Sequence, residues 1–174
     1  MSAARQYFLK TERLGFGYWA SSDLALAQGL WGDPEVARFL GGPFTDGQIR
    51  QRLERHMAFL RDYNVQYWPI FLLETGDHVG CGGLQPYRMD EGIYELGFHL
   101  RRAYWGRGMA EEAARAVIRF AFESLGLETL FAGHHPENAA SRRVLGKLGF
   151  QYAGEEVYPP SGVMEPTYFL RRID

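Results

Sequence analysis

The clearest chemistry in this chain lies in Trp105-Gly-Arg-Gly-Met-Ala110. Two glycines, with one residue between them, carry no side chains to hold a ligand off. They stand between a strand-like run, Ile93 to Leu100, and an amphipathic helix expected over about Gly108 to Leu125. The first amides of a helix have no partners inside it, and the helix dipole is positive at that end. Such a turn is an anion site suited to a pyrophosphate. Other reactive types are sparse. Cys81, in Gly80-Cys-Gly-Gly83, is the only cysteine and lacks an activating signature nearby. It reads as a small buried strand residue rather than a nucleophile. His134 and His135 are adjacent, so a strand would point them to opposite faces. With no His-Glu-x-x-His or paired-cysteine spacing, no metal is expected.

The elements that must position the turn follow from periodicity. Leu14 to Trp19 reads as a first strand, Ser21-Ser-Asp23 as the cap of a helix through Leu30, and Asp33-Pro34 as the start of another helix that ends by Gly41 and Gly42. Thr45-Asp-Gly-Gln48 has capping-box spacing and opens a helix to about Arg61. Tyr67 to Glu74 and His78 to Gln85 form strands around Thr75-Gly-Asp77, and a third runs from about Gly92 to Leu100. In the helix after the glycine turn, Ala110, Ala113, Ala114, Val117, Ile118, Ala121, Phe122 and Leu125 make a core face, and Gly126 ends it. Glu128 to Gly133 is a strand, Asn138 to Leu148 a helix stopped by Gly149, and Phe150 to Val157 with Val163 to Arg171 a closing hairpin. These elements give a mixed α/β sheet; without pure βαβ alternation, a doubly wound fold is not expected.

With 174 residues and 46% hydrophobic content, the simplest organisation is one domain spanning 1–174. A net charge of −2 does not favour nucleic acid or an acidic membrane surface. No apolar run approaches the ~20 residues of a membrane span, so no membrane partner is expected. The N-terminal Met-Ser-Ala-Ala-Arg-Gln-Tyr lacks the apolar core of a signal peptide, and one cysteine fits a reducing compartment; the expected location is cytoplasmic.

Three signatures in order resemble the GCN5-related N-acetyltransferase (GNAT) superfamily, most of all its Rim-type branch of ribosomal-protein-alanine N-acetyltransferases. They are Thr11-Glu-Arg-Leu14 with Asp33-Pro-Glu-Val36, Glu95-Leu-Gly-Phe98 with Trp105-Gly-Arg-Gly-Met-Ala110, and Pro136-Glu-Asn138 with Ser141 and Lys147-Leu-Gly-Phe150. Trp105 stands where the family often has Gln or Arg, as is common in the Rim branch. The resemblance implies a central twisted mixed sheet of about seven strands, flanking helices, and a splayed parallel strand pair that holds acetyl-CoA as co-substrate. The pantetheine arm would pair with the backbone of Phe98, His99 and Leu100. The pyrophosphate would sit on the amides of Arg107, Gly108, Met109 and Ala110. Asn138 would contact the pantetheine arm or a water; plain N-capping of the last helix is the alternative, and the two roles can coexist. Arg142 is the best basic candidate for a phosphate contact.

Acetyl transfer to an amine needs a neutral amine, a polarised carbonyl and a proton for the thiolate. Glu95 shares a strand face with Gly97 and His99 and is the first choice for general base; orienting the substrate is the alternative role. The place of the family's tyrosine acid holds Leu145, and Ser141 is the substitute that the Rim resemblance suggests. Trp31, Phe39, Tyr87, Tyr158 and Tyr168 are candidates for lining an acceptor pocket, with core packing the alternative for each. The acceptor is a protein N-terminal amine or a small-molecule amine, and a homodimer is compatible with the family. Two rivals stand beside this reading: an acyl-CoA-binding module without catalysis, and a Rossmann-type dinucleotide enzyme. The second lacks its third glycine, since Glu111 holds that place.

Overall fold

Alternating side chains on the central runs put one apolar set on each side of a single sheet, and helices cover both. The computed structural model describes residues 4–173; residues 1–3 of the N-terminal segment read above, and residue 174, lie outside them. In chain order the elements are β1 (Leu9–Lys10), β2 (Leu14–Phe16), α1 (Leu24–Trp31), α2 (Pro34–Ala37), α3 (Asp46–Tyr63), β3 (Tyr67–Leu72), β4 (His78–Arg88), β5 (Ile93–Leu100), α4 (Met109–Arg119), β6 (Thr129–Gly133), α5 (Ala139–Lys147), β7 (Gln151–Tyr158) and β8 (Val163–Arg171). The eight strands lie in the order β1-β2-β3-β4-β5-β6-β8-β7. Every neighbouring pair is antiparallel except β5 with β6. A sheet with one parallel pair is the expected mixed α/β architecture, and it removes the doubly wound alternative.

One core lies between the sheet and α4–α5, where Trp68, Ile70, Leu84, Leu96 and Leu130 meet Met109, Ala113, Val117 and Leu145. The other lies under α1 and α3, where Trp19, Trp31, Ile49 and Leu53 meet Tyr67 and Cys81. Burial of each large apolar side chain contributes roughly 1.5–3 kcal/mol. The Thr45–Gln48 capping box forms as the sequence predicts, with Gln48 N donating to Thr45 Oγ1 at 3.2 Å and Thr45 N donating to Gln48 Oε1 at 2.9 Å.

The differences are local. The sheet gains a two-residue strand, β1, against β2. The first predicted strand shortens to Leu14–Phe16, because Trp19 N donates to the Gln66 side chain and Trp19 Nε1 to the Tyr67 carbonyl instead of a ladder. The helix after Asp33 is a single turn. The helix expected to reach Leu125 is α-helical to Arg119 and then widens to a π-helix over Phe120–Ser124. Gly126, at φ 68, ends it in the left-handed region.

Candidate active site

The two parallel strands touch only where Tyr94 faces Leu130 and Glu95 faces Phe131. Beyond Glu95, β5 stays in its ladder with β4, from Leu96 opposite Leu84 to Leu100 opposite Gly80. Over the same stretch β6 pairs with β8 and leaves. The β5 edge from Leu96 to Leu100 therefore faces a cleft with no strand paired to it; the Leu100 carbonyl accepts from Trp105 Nε1 at 2.8 Å, and the edge before it is open to an added strand. Two cavities open there, of about 410 Å³ and about 240 Å³. They share the walls made by Phe39, Leu40, Phe98, His99, Asn138 and Ser141.

The larger cavity runs along the glycine turn. Gly106, Gly108, Met109, Ala110 and Glu111 line it. Gly106 and Gly108 take φ of 70 and 74, which favours glycine. A Cβ at Gly106 would meet nothing within 4 Å, and one at Gly108 would first meet Arg13 Nη2 at 3.6 Å. Gly108 caps α4 without a side-chain hydrogen bond, so the first amides of the helix point into the groove unpaired. The positive helix end, bare glycines and free amides fit a coenzyme pyrophosphate, and the adjoining free strand edge fits an extended pantetheine arm. Arg143 and Lys147 stand on the opposite wall. The Arg107 side chain does not line the groove; its guanidinium lies 5.6 Å over the Tyr104 ring, while its main chain belongs to the turn. Arg142, expected at the phosphates, is exposed and sits near His134 instead. One residue is about 100° around a helix, so the wall goes to positions 140, 141, 143, 144 and 147 and passes over 142.

Thr11-Glu-Arg-Leu14 acts as a latch on this turn. The Glu112 carboxylate accepts from Thr11 Oγ1 at 2.6 Å, Arg13 N at 2.9 Å and Arg13 Nε at 2.6 Å. Arg13 Nη1 then donates to the Arg107 carbonyl at 2.9 Å. Replacing Glu112 with Ala leaves these donors unmatched. We expect a loss of about 2–3 kcal/mol, read as a lower Tm, together with weaker acetyl-CoA binding by calorimetry. An unchanged Tm would remove the latch. Asp33 plays a similar part, capping α2 through Glu35 N and pairing with Arg102 Nε at 2.7 Å.

The smaller cavity carries the acid–base groups. Glu95 accepts from Gln85 Nε2 at 2.8 Å. Burial raises its carboxyl above the usual range, and the Gln85 bond pulls it partly back. Glu165 of β8 also lines this cavity and is only 8% exposed. Burial, reinforced by the charge of Glu95, pushes its carboxyl up to about 7. Its Oε2 would lie 3.5 Å from a Cβ at Gly133, so the glycine at the end of β6 keeps that carboxyl uncovered. Sequence reasoning missed Glu165. The available signal was its place on an alternating strand, on one face with Thr167 and Phe169 while Met164 faces solvent.

His99 accepts from Trp31 Nε1 at 3.1 Å through Nδ1, and burial, then Arg52, push its ring down to about 3. It is neutral near pH 7 and lines both cavities without serving as a base there. Asn138 caps α5, its Oδ1 accepting from Ser141 N at 3.1 Å, and also lines both cavities. The two roles read from the sequence are thus compatible in one place. Ser141 stands one turn into α5 at the junction. No tyrosine lies on the shared wall. Of the aromatic candidates, Phe39 and Tyr158 line the smaller cavity. Trp31 is fully buried, Tyr87 stacks on Phe131 at 3.8 Å, and Tyr168 meets His134 Nε2 at 3.0 Å.

Cys81 is fully buried, and burial pushes its thiol up to about 12. We expect native protein to resist iodoacetamide at neutral pH and to be labelled only on unfolding, as mass spectrometry would show. Rapid native labelling would reopen it as a nucleophile. His134 and His135 follow the end of β6 and both line the smaller cavity rather than taking opposite strand faces, the first bonded to Tyr168 and the second tilted against Phe39 with ring centres 5.3 Å apart.

A family model described as an acetyltransferase (GNAT) domain matches residues 13–151. The uncharacterised N-acetyltransferase p20 of Bacillus licheniformis is 32% identical over 148 residues, covering 84% of this chain and 83% of that protein. An acetyltransferase structure from Agrobacterium tumefaciens superposes with a TM-score of 0.82 at 26% identity, covering 98% of this chain and 100% of the other. The ribosomal alpha-N-protein acetyltransferase RimL, solved with coenzyme A, superposes with a TM-score of 0.78 at 14% identity, covering 92% of this chain and 95% of its own. That last likeness shows the fold alone.

Proposed function

The chain belongs to the GNAT acetyltransferase family and is an acetyl-CoA-dependent N-acetyltransferase, and from that premise we propose that it acetylates a primary amine by direct attack in a ternary complex. One observation carries this reading. The groove with the free amides and the cavity with two glutamates meet at a common wall, so a thioester laid along one faces an amine held in the other. The amides of Arg107, Gly108, Met109 and Ala110 hold the pyrophosphate, and the unpaired edge along Phe98 and His99 to Leu100, whose carbonyl Trp105 Nε1 already holds, aligns the arm. Asn138 and Arg143 border that arm.

Glu165 takes the proton from the attacking amine. A carboxyl near 7 is matched to a base working at neutral pH. Glu95, fixed by Gln85, orients the amine and keeps Glu165 basic through its charge. This assigns Glu95 the orienting one of its two sequence-read roles. The nitrogen bonds to the acetyl carbon, the carbon–sulfur bond breaks, and Ser141 donates a hydrogen bond to the departing sulfur, which takes its proton from solvent. The Rim-type assignment rests on the Trp105-Gly-Arg-Gly motif, and a protein N-terminal amine is the acceptor which that branch would imply. Isotopically labelled acetyl-CoA incubated with enzyme and cell extract names the acceptor by mass spectrometry. Tight acetyl-CoA binding with no thiol release from any amine would leave only a binding module.

A further inference from the structure

We propose that the acceptor is a small amine that also carries a carboxylate, its anion held by Arg52 on one wall of the smaller cavity while its amine faces Glu95 and Glu165 on the other. This rests on the N-acetyltransferase reading and narrows it.

Arg52, on α3, is 8% exposed and lines the cavity. Among the described residues it forms no salt bridge, whereas Arg5, Arg13 and Arg102 each pair with a carboxylate at 2.6 to 2.7 Å. Its guanidinium rests 4.7 Å from the Phe44 ring centre and 5.5 Å from that of Trp31. Those rings hold it in place but supply no counter-ion, and a guanidinium keeps its proton. A buried cation without an anion is costly. Arg55, one helical turn on, lines the same cavity and also lacks an ion pair among the described residues.

The glutamates do not neutralise this wall. The influences that lift Glu165 are burial and Glu95, with no opposing arginine among them. Tyr158, a neutral group, is the hydrogen-bond partner of Arg52 and also feels the charges of Glu95 and Glu165, so it gives Arg52 a contact but no counter-ion. The cavity therefore keeps positive and negative groups apart, as a ligand with an amine at one end and a carboxylate at the other requires. A polyamine would set a second cation against Arg52, and an uncharged peptide end would leave Arg52 unmatched. At about 240 Å³ the space suits a group of amino-acid size, below the ~300–1,000 Å³ of drug-sized sites.

The test uses the full chain at saturating acetyl-CoA and follows coenzyme thiol release. The acceptors are matched pairs with one, two or three carbons between the groups: L-leucine and L-leucinamide, β-alanine and β-alaninamide, γ-aminobutyrate and γ-aminobutyramide. Spermidine and an uncharged Ala-starting peptide amide complete the panel. We expect kcat/KM for at least one acid to exceed its amide by about tenfold or more. Arg52→Gln should raise KM for that acid by about tenfold or more with little change in kcat, leave the amide and acetyl-CoA unaffected, and be partly rescued by Arg52→Lys. Arg55→Gln, at an exposed position, should raise the same KM more modestly and serves if Arg52→Gln does not fold. Amides, spermidine or the uncharged peptide matching or outrunning every acid would overturn the inference while leaving the transferase intact. Thiol release from none of these acceptors, with acetyl-CoA bound, would overturn it too, and a labelled product from cell extract would show whether the transferase reading still stands.

Discussion

Glu165→Gln is expected to lower kcat for acetyl transfer by about 10²–10⁴-fold, the span general-base catalysis contributes, with acetyl-CoA affinity nearly unchanged. Gln keeps the size and polarity of the side chain and removes only the proton acceptor. In the parent protein kcat/KM should rise with pH through about 7 as Glu165 ionises, and the variant should lose that limb. Glu95→Gln should also lower turnover more than it weakens acetyl-CoA binding. It should shift the limb to lower pH, because the charge that helps hold Glu165 up is gone. A parallel limb in both variants would place the base elsewhere.

The same group predicts a stability signature of definite sign. Between the ordinary glutamate value of 4.5 and about 7, folded Glu165 keeps a proton that the unfolded chain has released. Stability must then fall as pH rises through that window, by on the order of 1–3 kcal/mol. Glu165→Gln should abolish this fall and be the more stable protein above pH 7. Burying a carboxyl where it can act as a base works against the fold, and denaturant melts at several pH values would reveal it.

Gly108→Asp is expected to weaken acetyl-CoA by about a hundredfold, through charge repulsion and competition for unpaired amides. The fold should survive. A Cβ there first meets Arg13 Nη2 at 3.6 Å, and Asp is among the residues that tolerate the left-handed backbone found at φ 74. Calorimetry should show the loss of coenzyme affinity with no collapse in Tm. Wild-type affinity would mean that the pyrophosphate does not lie on this turn.

Much of the architecture was legible because single residues carry strong local rules. Gly106 and Gly108 announce a turn that only glycine adopts easily, Thr45 and Gln48 announce a helix start, and the three- and four-step spacing from Ala110 to Leu125 announces a buried helix face. Glu95, Asn138 and Ser141 could be named because motifs surround them. What escaped depends on contacts between distant segments. Glu165 becomes a cavity residue only when β8 pairs with β6 and brings it beside Gly133. Arg52 looks like one more charge on a polar helix until Trp31 and Phe44 enclose it. Arg142, the sequence's candidate for a phosphate contact, lies one residue from the groove wall, since helix phase puts Arg143 there.

A crystal structure of this protein soaked with acetyl-CoA tests the central claim most directly. The diphosphate should lie on the amides of Arg107, Gly108, Met109 and Ala110, the pantetheine arm along the β5 edge from Leu96 to Leu100, and the sulfur beside Ser141. A coenzyme bound elsewhere, or the glycine turn left empty at saturating ligand, would contradict the account.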